Sequence, residues 1–314
     1  MSSSAITAIG IDVAKLSLEF ASPCARLSGS VRNELEAIRT RLRALLKEYP
    51  ALHLVCEATG GCERLLVGTA HALKIPISVV EPSRVRHFAQ SLGRLEKTDP
   101  VDAQVLREFG QRMPLTETRE LEESYRVLRD WVQLRDHYIE RLKVEETFLS
   151  SLTNPQTQAV AQKECDRLNT LIKEVEAQIE EFLQEQAPEL NDRVQTLCLV
   201  TGVATRSAAG LLAYIPELGR IGDQQLSKLV GLAPIAHESG EMNGPRHIAR
   251  GRAPARRILY MLSLVAVRFN EHLKPFYLRL RSNGKPPKVA LIAVARKLIL
   301  FLNHLLKPAF NMPV

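Results

Sequence analysis

Aromatic side chains are scarce in this 314-residue sequence, at 5% with a single tryptophan, and the five cysteines form no CxxC pair. Without such pairs neither a zinc site nor a disulfide framework is indicated, and a reducing compartment fits best. Long apolar runs are also missing. Nothing approaches the roughly 18 consecutive apolar residues of a membrane span, and the N-terminal MSSSAIT lacks a basic patch followed by an apolar stretch. The expectation is a cytoplasmic protein with no membrane partner. What is present is ordinary globular composition, 45% apolar and 25% charged, in a chain long enough for two domains with separate cores.

Acidic residues are lacking at one end only. Residues 1–110 carry 14 basic and 12 acidic side chains, residues 111–241 carry 14 and 22, and residues 242–314 carry 14 and one. The last quarter is a polycation. Such a segment calls for a polyanionic partner, and nucleic acid is favoured over a membrane surface because no aromatic-rich amphipathic stretch accompanies the charge.

The N-terminal third alternates strand and helix patterns. Ile6, Ile9, Ile11 and Val13 form a β-branched run expected to be a central, buried strand, and Asp12 lies inside it. A buried carboxylate is costly unless it is paired, hydrogen-bonded or ligating a cation. Lys15–Phe20 predicts a hairpin partner, Arg26–Val31 a weaker third strand, and Asn33 the cap of a helix through Leu35, Ile38, Leu42 and Leu45. LHLVC at 52–56 is a further strand ending at Glu57. Helices around Leu66 and from Pro82 flank another strand at Ile75–Val80. Alternating strands and helices give an α/β sheet whose carboxyl ends share a crevice, where Asp12 and Glu57 can meet. Asp99 is expected as the N-cap of a helix with Pro100 in its first turn and Asp102 three residues on. Both acids also suit a helix start by themselves. Together the four carboxylates suit Mg²⁺ or Mn²⁺ and phosphodiester chemistry.

From about Leu121 to Leu190 apolar residues recur at helical spacing in two seams, and Arg135 and Glu146 interrupt the first. An antiparallel hairpin or short coiled coil is expected, serving as a spacer and dimerisation arm. A boundary falls near Ala187–Pro188. Val194–Tyr214 then has the layout of a helix-hairpin-helix, whose turn glycine would be Gly202. The Gly- and Pro-containing stretch 231–257 reads as an exposed loop with Arg246, Arg250, Arg252, Arg256 and Arg257 crowding its end, and two helices close the chain. Ser239 lies in that loop, and a serine before a glycine is by itself turn chemistry.

GIDVAK, CEATGG, KTDPVDA, a helical middle, a GV-type hairpin and GLAPIAHESG followed by a basic run together resemble the insertion-sequence-110 family of transposases. The resemblance covers nearly the whole chain and implies three domains. Residues 1–115 would form an RNase H-like (RuvC-like) α/β domain binding divalent metal through Asp12, Glu57, Asp99 and Asp102. Residues 116–188 would form a helical coiled-coil arm. Residues 189–314 would form a mainly helical domain in which Ser239 attacks the DNA backbone and becomes covalently linked to it. Implied partners are donor and target DNA, a non-coding guide RNA, and a homodimer that assembles into a tetramer. The chain departs from the family pattern in placing Gly-Glu-Met-Asn-Gly-Pro between the serine and the arginines. Other readings of the same residues are an invertase that needs no guide RNA and a metal-only nuclease of the Holliday-junction-resolvase type.

Overall fold

The computed structural model describes residues 6–94, 98–234 and 247–307, with the backbone of 235, 238–239 and 242–243. The chain divides into two compact units, Met1–Glu120 and Leu121–Val314.

The first unit is built from β1 (Thr7–Val13), β2 (Ser17–Ala21), β3 (Gly29–Arg32), α1 (Leu35–Glu48), β4 (Leu52–Glu57), α2 (Arg64–Ala72), β5 (Ile77–Val80), α3 (Pro82–Ser91) and α4 (Asp99–Arg112). Its five-stranded sheet runs β3-β2-β1-β4-β5. β1, β2 and β3 pair antiparallel, whereas β4 and β5 run parallel to β1. Two-residue periodicity sorts the side chains between two faces. Ile9, Ile11, Val13, Leu18, Phe20, Leu54 and Cys56 pack with Ile38, Leu42 and Leu45 of α1 and Leu66 of α2. Val55 and Val80 face the other way, against Val85 of α3 and Val105, Leu106 and Phe109 of α4. Asp12 belongs to this second face and is half-buried, not sealed in the apolar layer.

Small residues let α4 press onto the sheet. A Cβ on Gly10 would stand 2.0 Å from Ala103 O and 2.3 Å from Arg107 N, and one on Gly110 would stand 2.7 Å from Val55 Cγ2 and 2.9 Å from Ala8 Cβ. Helix α4 therefore runs antiparallel to β1, its first turn lying toward Asp12. At the sheet's edge, residues 116–118 lie along β5: Thr118 N donates to Ile77 O (2.7 Å), Ser78 Oγ to Thr116 O (2.8 Å) and Val79 N to Thr118 Oγ1 (2.8 Å). His71 Nε2 joins Thr118 O at 2.8 Å.

Two expected caps differ. Helix α1 starts from Glu34, and Asn33 instead donates to Ala14 O (3.0 Å) and Cys62 O (3.1 Å), tying the β1–β2 turn to the loop after β4. Thr98 is the N-cap of α4, which places Asp99 and Asp102 both inside its first turn. One residue of slippage moves Asp99 from cap to helix without changing its neighbourhood.

The second unit is mostly helical. α5 (Glu123–Ser151) and α6 (Pro155–Glu181) form a hairpin turned at Asn154, whose side chain accepts from Gln156 N at 2.8 Å. A wide π-helical turn, Phe182–Gln186, leads to α7 (Pro188–Cys198), α8 (Thr205–Tyr214) and α9 (Asp223–Val230). Short paired strands follow, β6 (Pro234–Ile235), β7 (Glu238–Ser239), β8 (Met242–Asn243) and β9 (His247–Ile248), then α10 (Ala253–Phe269), α11 (Leu273–Ser282) and α12 (Pro287–Leu305). Tyr125, Leu128 and Val132 of α5 and Val175 and Ile179 of α6 share one core with Leu211, Leu259 and Leu298. Toward the hairpin's tip Val144 and Phe148 are exposed. Arg135, which breaks the apolar seam, is buried against Asp136 (2.8 Å), and Tyr214 Oη donates to the other oxygen of Asp136 at 2.7 Å. Burial first, and then the Asp136 carboxylate, push the Tyr214 phenol well above its ordinary value, so it remains a donor.

Two features were not expected. Helix α11 follows a break at Asn270, whose Oδ1 accepts from His272 N (3.1 Å) and Leu273 N (3.0 Å). Its apolar residues Leu273, Phe276, Tyr277 and Leu280 stand at helical spacing, and the first three pack against the unit's core. The stretch read as an open loop pairs with itself: Pro234 stands opposite Ile248 and Ile235 opposite His247, and beyond them Glu238 opposite Asn243 and Ser239 opposite Met242.

Candidate functional site

Four elements of the first unit bring carboxylates to one end of the sheet. The parallel register puts Ile11 beside Cys56, so Asp12 on β1 neighbours Glu57 at the end of β4. The antiparallel register puts Asp12 opposite Glu19 on β2. The first turn of α4, laid over Gly10, adds Asp99 and Asp102 on the same face. Asp12, Glu19, Glu57 and Asp102 are half-buried, and Asp99 is exposed.

Glu19 was missed by sequence reasoning. The signal lay in the alternation of SLEFA: once Leu18 and Phe20 are assigned inward, Glu19 must share the face of Asp12. Burial first, and then the Asp99 carboxylate, hold the Glu19 carboxyl above its ordinary value, while Arg41 pulls the other way. Like charges directly across a strand pair are destabilising, so this end of the sheet concentrates negative charge. Among the described residues no three His, Cys, Asp or Glu side chains close into a metal-holding group. The carboxylates share a face without being drawn onto a common point.

The loop after Glu57 is organised by a carboxylate of its own. Glu63 Oε2 accepts from Thr59 Oγ1 (2.5 Å), Thr59 N (3.1 Å) and Gly61 N (2.9 Å). Burial raises the Glu63 carboxyl, but these hydrogen bonds outweigh it and leave the group below its ordinary value. Gly60 and Gly61 carry φ of 78° and 138°, conformations that favour glycine. TGG is therefore the turn that ends β4 and fixes its last residue.

In the second unit Gly202 turns the chain between α7 and α8 with φ 95°, and a Cβ there would lie 3.0 Å from Val265 Cγ1 of α10. Close packing against α10 and the positive φ both require glycine at this turn. The backbone of Ser239 lies on β7, paired with Met242 of β8. Arg246 falls outside the described residues. Arg250 is exposed, and Arg257 is exposed and meets Glu140 of α5 at 2.7 Å. Arg252 and Arg256 are half-buried and bonded within the unit. Sequence reasoning also passed over the corner between α11 and α12, where Arg279, Arg281, Lys285 and Lys288 are all exposed. The charge count of the last quarter already pointed there.

Residues 9–154 match a family model described as a transposase, and residues 194–278 match one described as the transposase IS116/IS110/IS902 family. The pilin gene-inverting protein of Moraxella lacunata is 28% identical over 255 residues, covering 79% of this chain and 78% of that protein. The pilin gene-inverting protein of Moraxella bovis shows the same identity and coverage. An uncharacterised 42 kDa protein of insertion element IS900 from Mycobacterium paratuberculosis is 29% identical over 141 residues, 43% of this chain and 33% of that protein. Among the described residues no helix is long and apolar enough to cross a membrane.

Proposed function

The chain belongs to the insertion-sequence-110 family of transposases, enzymes of DNA recombination, and on that premise we propose that the carboxylates of its first unit and Ser239 of its second take different parts of one strand-transfer reaction. The observation that carries this reading is the gathering of Asp12, Glu57, Asp99 and Asp102 on one face of the sheet by strand register and the α4 crossing. The strand order, three antiparallel strands followed by two parallel ones, supports an RNase H-like fold for this unit.

The donor set is all oxygen, which suits hard divalent cations. The like-charge pairing of Asp12 with Glu19 is what a bound cation would relieve. Asp12, Glu57, Asp99 and Asp102 would hold Mg²⁺ or Mn²⁺, which when bound supplies stabilisation of the charge that builds on a reacting phosphate. Ser239 acts as the nucleophile. Its hydroxyl gives a proton to a general base as Oγ bonds to phosphorus, and the bond from phosphorus to one deoxyribose oxygen breaks, that oxygen taking up a proton as it leaves. Attack by a hydroxyl of the partner strand reverses the exchange and frees the serine, so the phosphodiester is conserved without an external energy source.

Phosphate contacts fall to Arg246, Arg250 and Arg257 and to the exposed corner between α11 and α12, with the amides around Gly202 as a helix-hairpin-helix contact. The α5–α6 hairpin is the dimerisation arm of a protein that pairs into a tetramer, and the polycationic end also suits a guide RNA. The pilin gene-inverting relatives favour a second reading, inversion of DNA; in that reading the protein needs no guide RNA.

The test is a denaturing gel of protein, Mg²⁺ and labelled junction DNA. A protein-linked DNA band that is lost in both Ser239→Ala and Asp102→Ala is the expected result. Cleavage that survives Ser239→Ala but not Asp102→Ala would make the protein a metal-only nuclease. RNA that copurifies and is needed for activity distinguishes the guided reading from simple inversion.

A further inference from the structure

The segment carrying Ser239 leaves the helical body at Gly231 and returns at Gly251. These glycines pass each other in backbone contact: a Cβ on Gly231 would lie 2.1 Å from Arg250 O, and one on Gly251 would lie 2.4 Å from Gly231 N. Both are left-handed, with φ 74° and 71°, and Arg250 beside Gly251 is left-handed too at 62°. That conformation is unfavourable for a non-glycine residue, so the surrounding structure must impose it.

Two arginines impose it. Arg256 Nη1 donates to Arg250 O at 2.5 Å and to Val230 O at 3.4 Å, reaching the outgoing and the returning chain with one group. Arg252 N donates to Leu229 O at 2.9 Å, and its guanidinium grips both oxygens of Glu217 at 2.5 and 2.7 Å while also donating to Tyr214 O at 2.9 Å. Beyond this knot the chain pairs first as β6 with β9 and then as β7 with β8. The result is a β-hairpin with its base locked and Ser239 close to its end. A guanidinium already holding a carboxylate in both prongs has little left to offer a phosphate.

We propose that Arg252 and Arg256 are positioning residues that, with Glu217, clamp the base of the hairpin presenting Ser239, and are not phosphate contacts. The proposal rests on the reading of Ser239 as the nucleophile. A loose hairpin would let the hydroxyl wander from the in-line approach, and small displacements of a reacting group cost large factors in rate.

Glu217 makes the test decisive, because a carboxylate removed from a DNA interface would strengthen binding, whereas one removed from a clamp loosens the hairpin. Glu217→Gln, Arg252→Gln and Arg256→Lys are compared with wild type in three measurements on the full chain: amide exchange of the 232–250 peptide, rate of protein–DNA adduct formation at saturating DNA, and the salt dependence of DNA affinity. The expected result is faster exchange confined to that peptide, an adduct rate lowered at least tenfold in both Glu217→Gln and Arg252→Gln, and an unchanged salt slope. The exchanged pair Glu217→Arg/Arg252→Glu recovers part of both the protection and the rate. A salt slope that drops by about one unit in Arg252→Gln, with Glu217→Gln retaining wild-type exchange and adduct rate, overturns the clamp. If wild type forms no adduct, the serine reading falls instead, while the exchange measurement still decides whether the clamp exists.

Discussion

The two candidate sites are held in place by different means. At the carboxylate end of the first unit, position is set by main chain: strand register puts Asp12 beside Glu57 and opposite Glu19, and α4 is seated by backbone pressing on Gly10. In the second unit, the hairpin bearing Ser239 has only short ladders of its own, and its base is held by the side chains of Glu217, just past α8, and of Arg252 and Arg256 at the start of α10. A main-chain scaffold tolerates change in most side chains and fails at a few glycines. A side-chain clamp is adjustable, and it fails one hydrogen bond at a time.

The largest test of that contrast is Gly10→Ala. The added methyl meets backbone that cannot move aside, so the first unit is expected to lose about 3 kcal/mol or more, lowering its melting temperature by about 10 °C, as calorimetry would read. A wild-type transition would mean that α4 is free to shift. Next is Tyr214→Phe, which removes one bond to the half-buried Asp136 and is expected to cost about 1–2 kcal/mol. Denaturant unfolding followed at Trp131, which packs against the second unit's core, reports it.

Glu63→Gln acts on the loop behind Glu57 and is expected to cost about 1 kcal/mol, its partial exposure trimming the benefit of charged hydrogen bonds. The Glu63 carboxyl is depressed in the folded state, so its contribution is full above the unfolded value of about 4.3 and vanishes as pH falls through the folded value. Wild-type and mutant melting curves are expected to converge as pH falls through that depressed folded value, and a constant gap would assign the loss to packing. Smallest is Glu19→Gln, which relieves like-charge crowding opposite Asp12 and is expected to raise the metal-free melting temperature by about 1–2 °C. A lowered value would show that Glu19 has a favourable partner at that face.

The same contrast explains what could be read from residues alone. Asp12, Glu57 and the first turn of α4 were legible because β-branched alternation, an LHLVC run and Pro100 are local signals, and sheet topology follows from their order. Glu19 required the hairpin register as well as the alternation. The clamp was opaque: Arg252 and Glu217 stand 35 positions apart, and nothing nearby distinguishes an arginine bound for a carboxylate from one bound for a phosphate. Hence the arginine cluster read as a uniform basic run, while the fold divides it into exposed and internally bonded members. Helix α11 was legible in the spacing of Leu273, Phe276, Tyr277 and Leu280 and was passed over because the pattern spans only about two turns of a ten-residue helix.

The short length of chain lying along β5 decides where the first unit can be cut free. Thr118 occupies the Val79 N–H and the Ile77 carbonyl that an outer strand would otherwise offer to a neighbour, and Thr116 takes the hydroxyl of Ser78. A fragment ending at Arg112, where α4 stops, would expose that rim and invite end-to-side pairing between copies, whereas one carried through Glu120 keeps its own cover. The natural place to sever the molecule is set by the last residues that shield a strand, a few positions past the last helix.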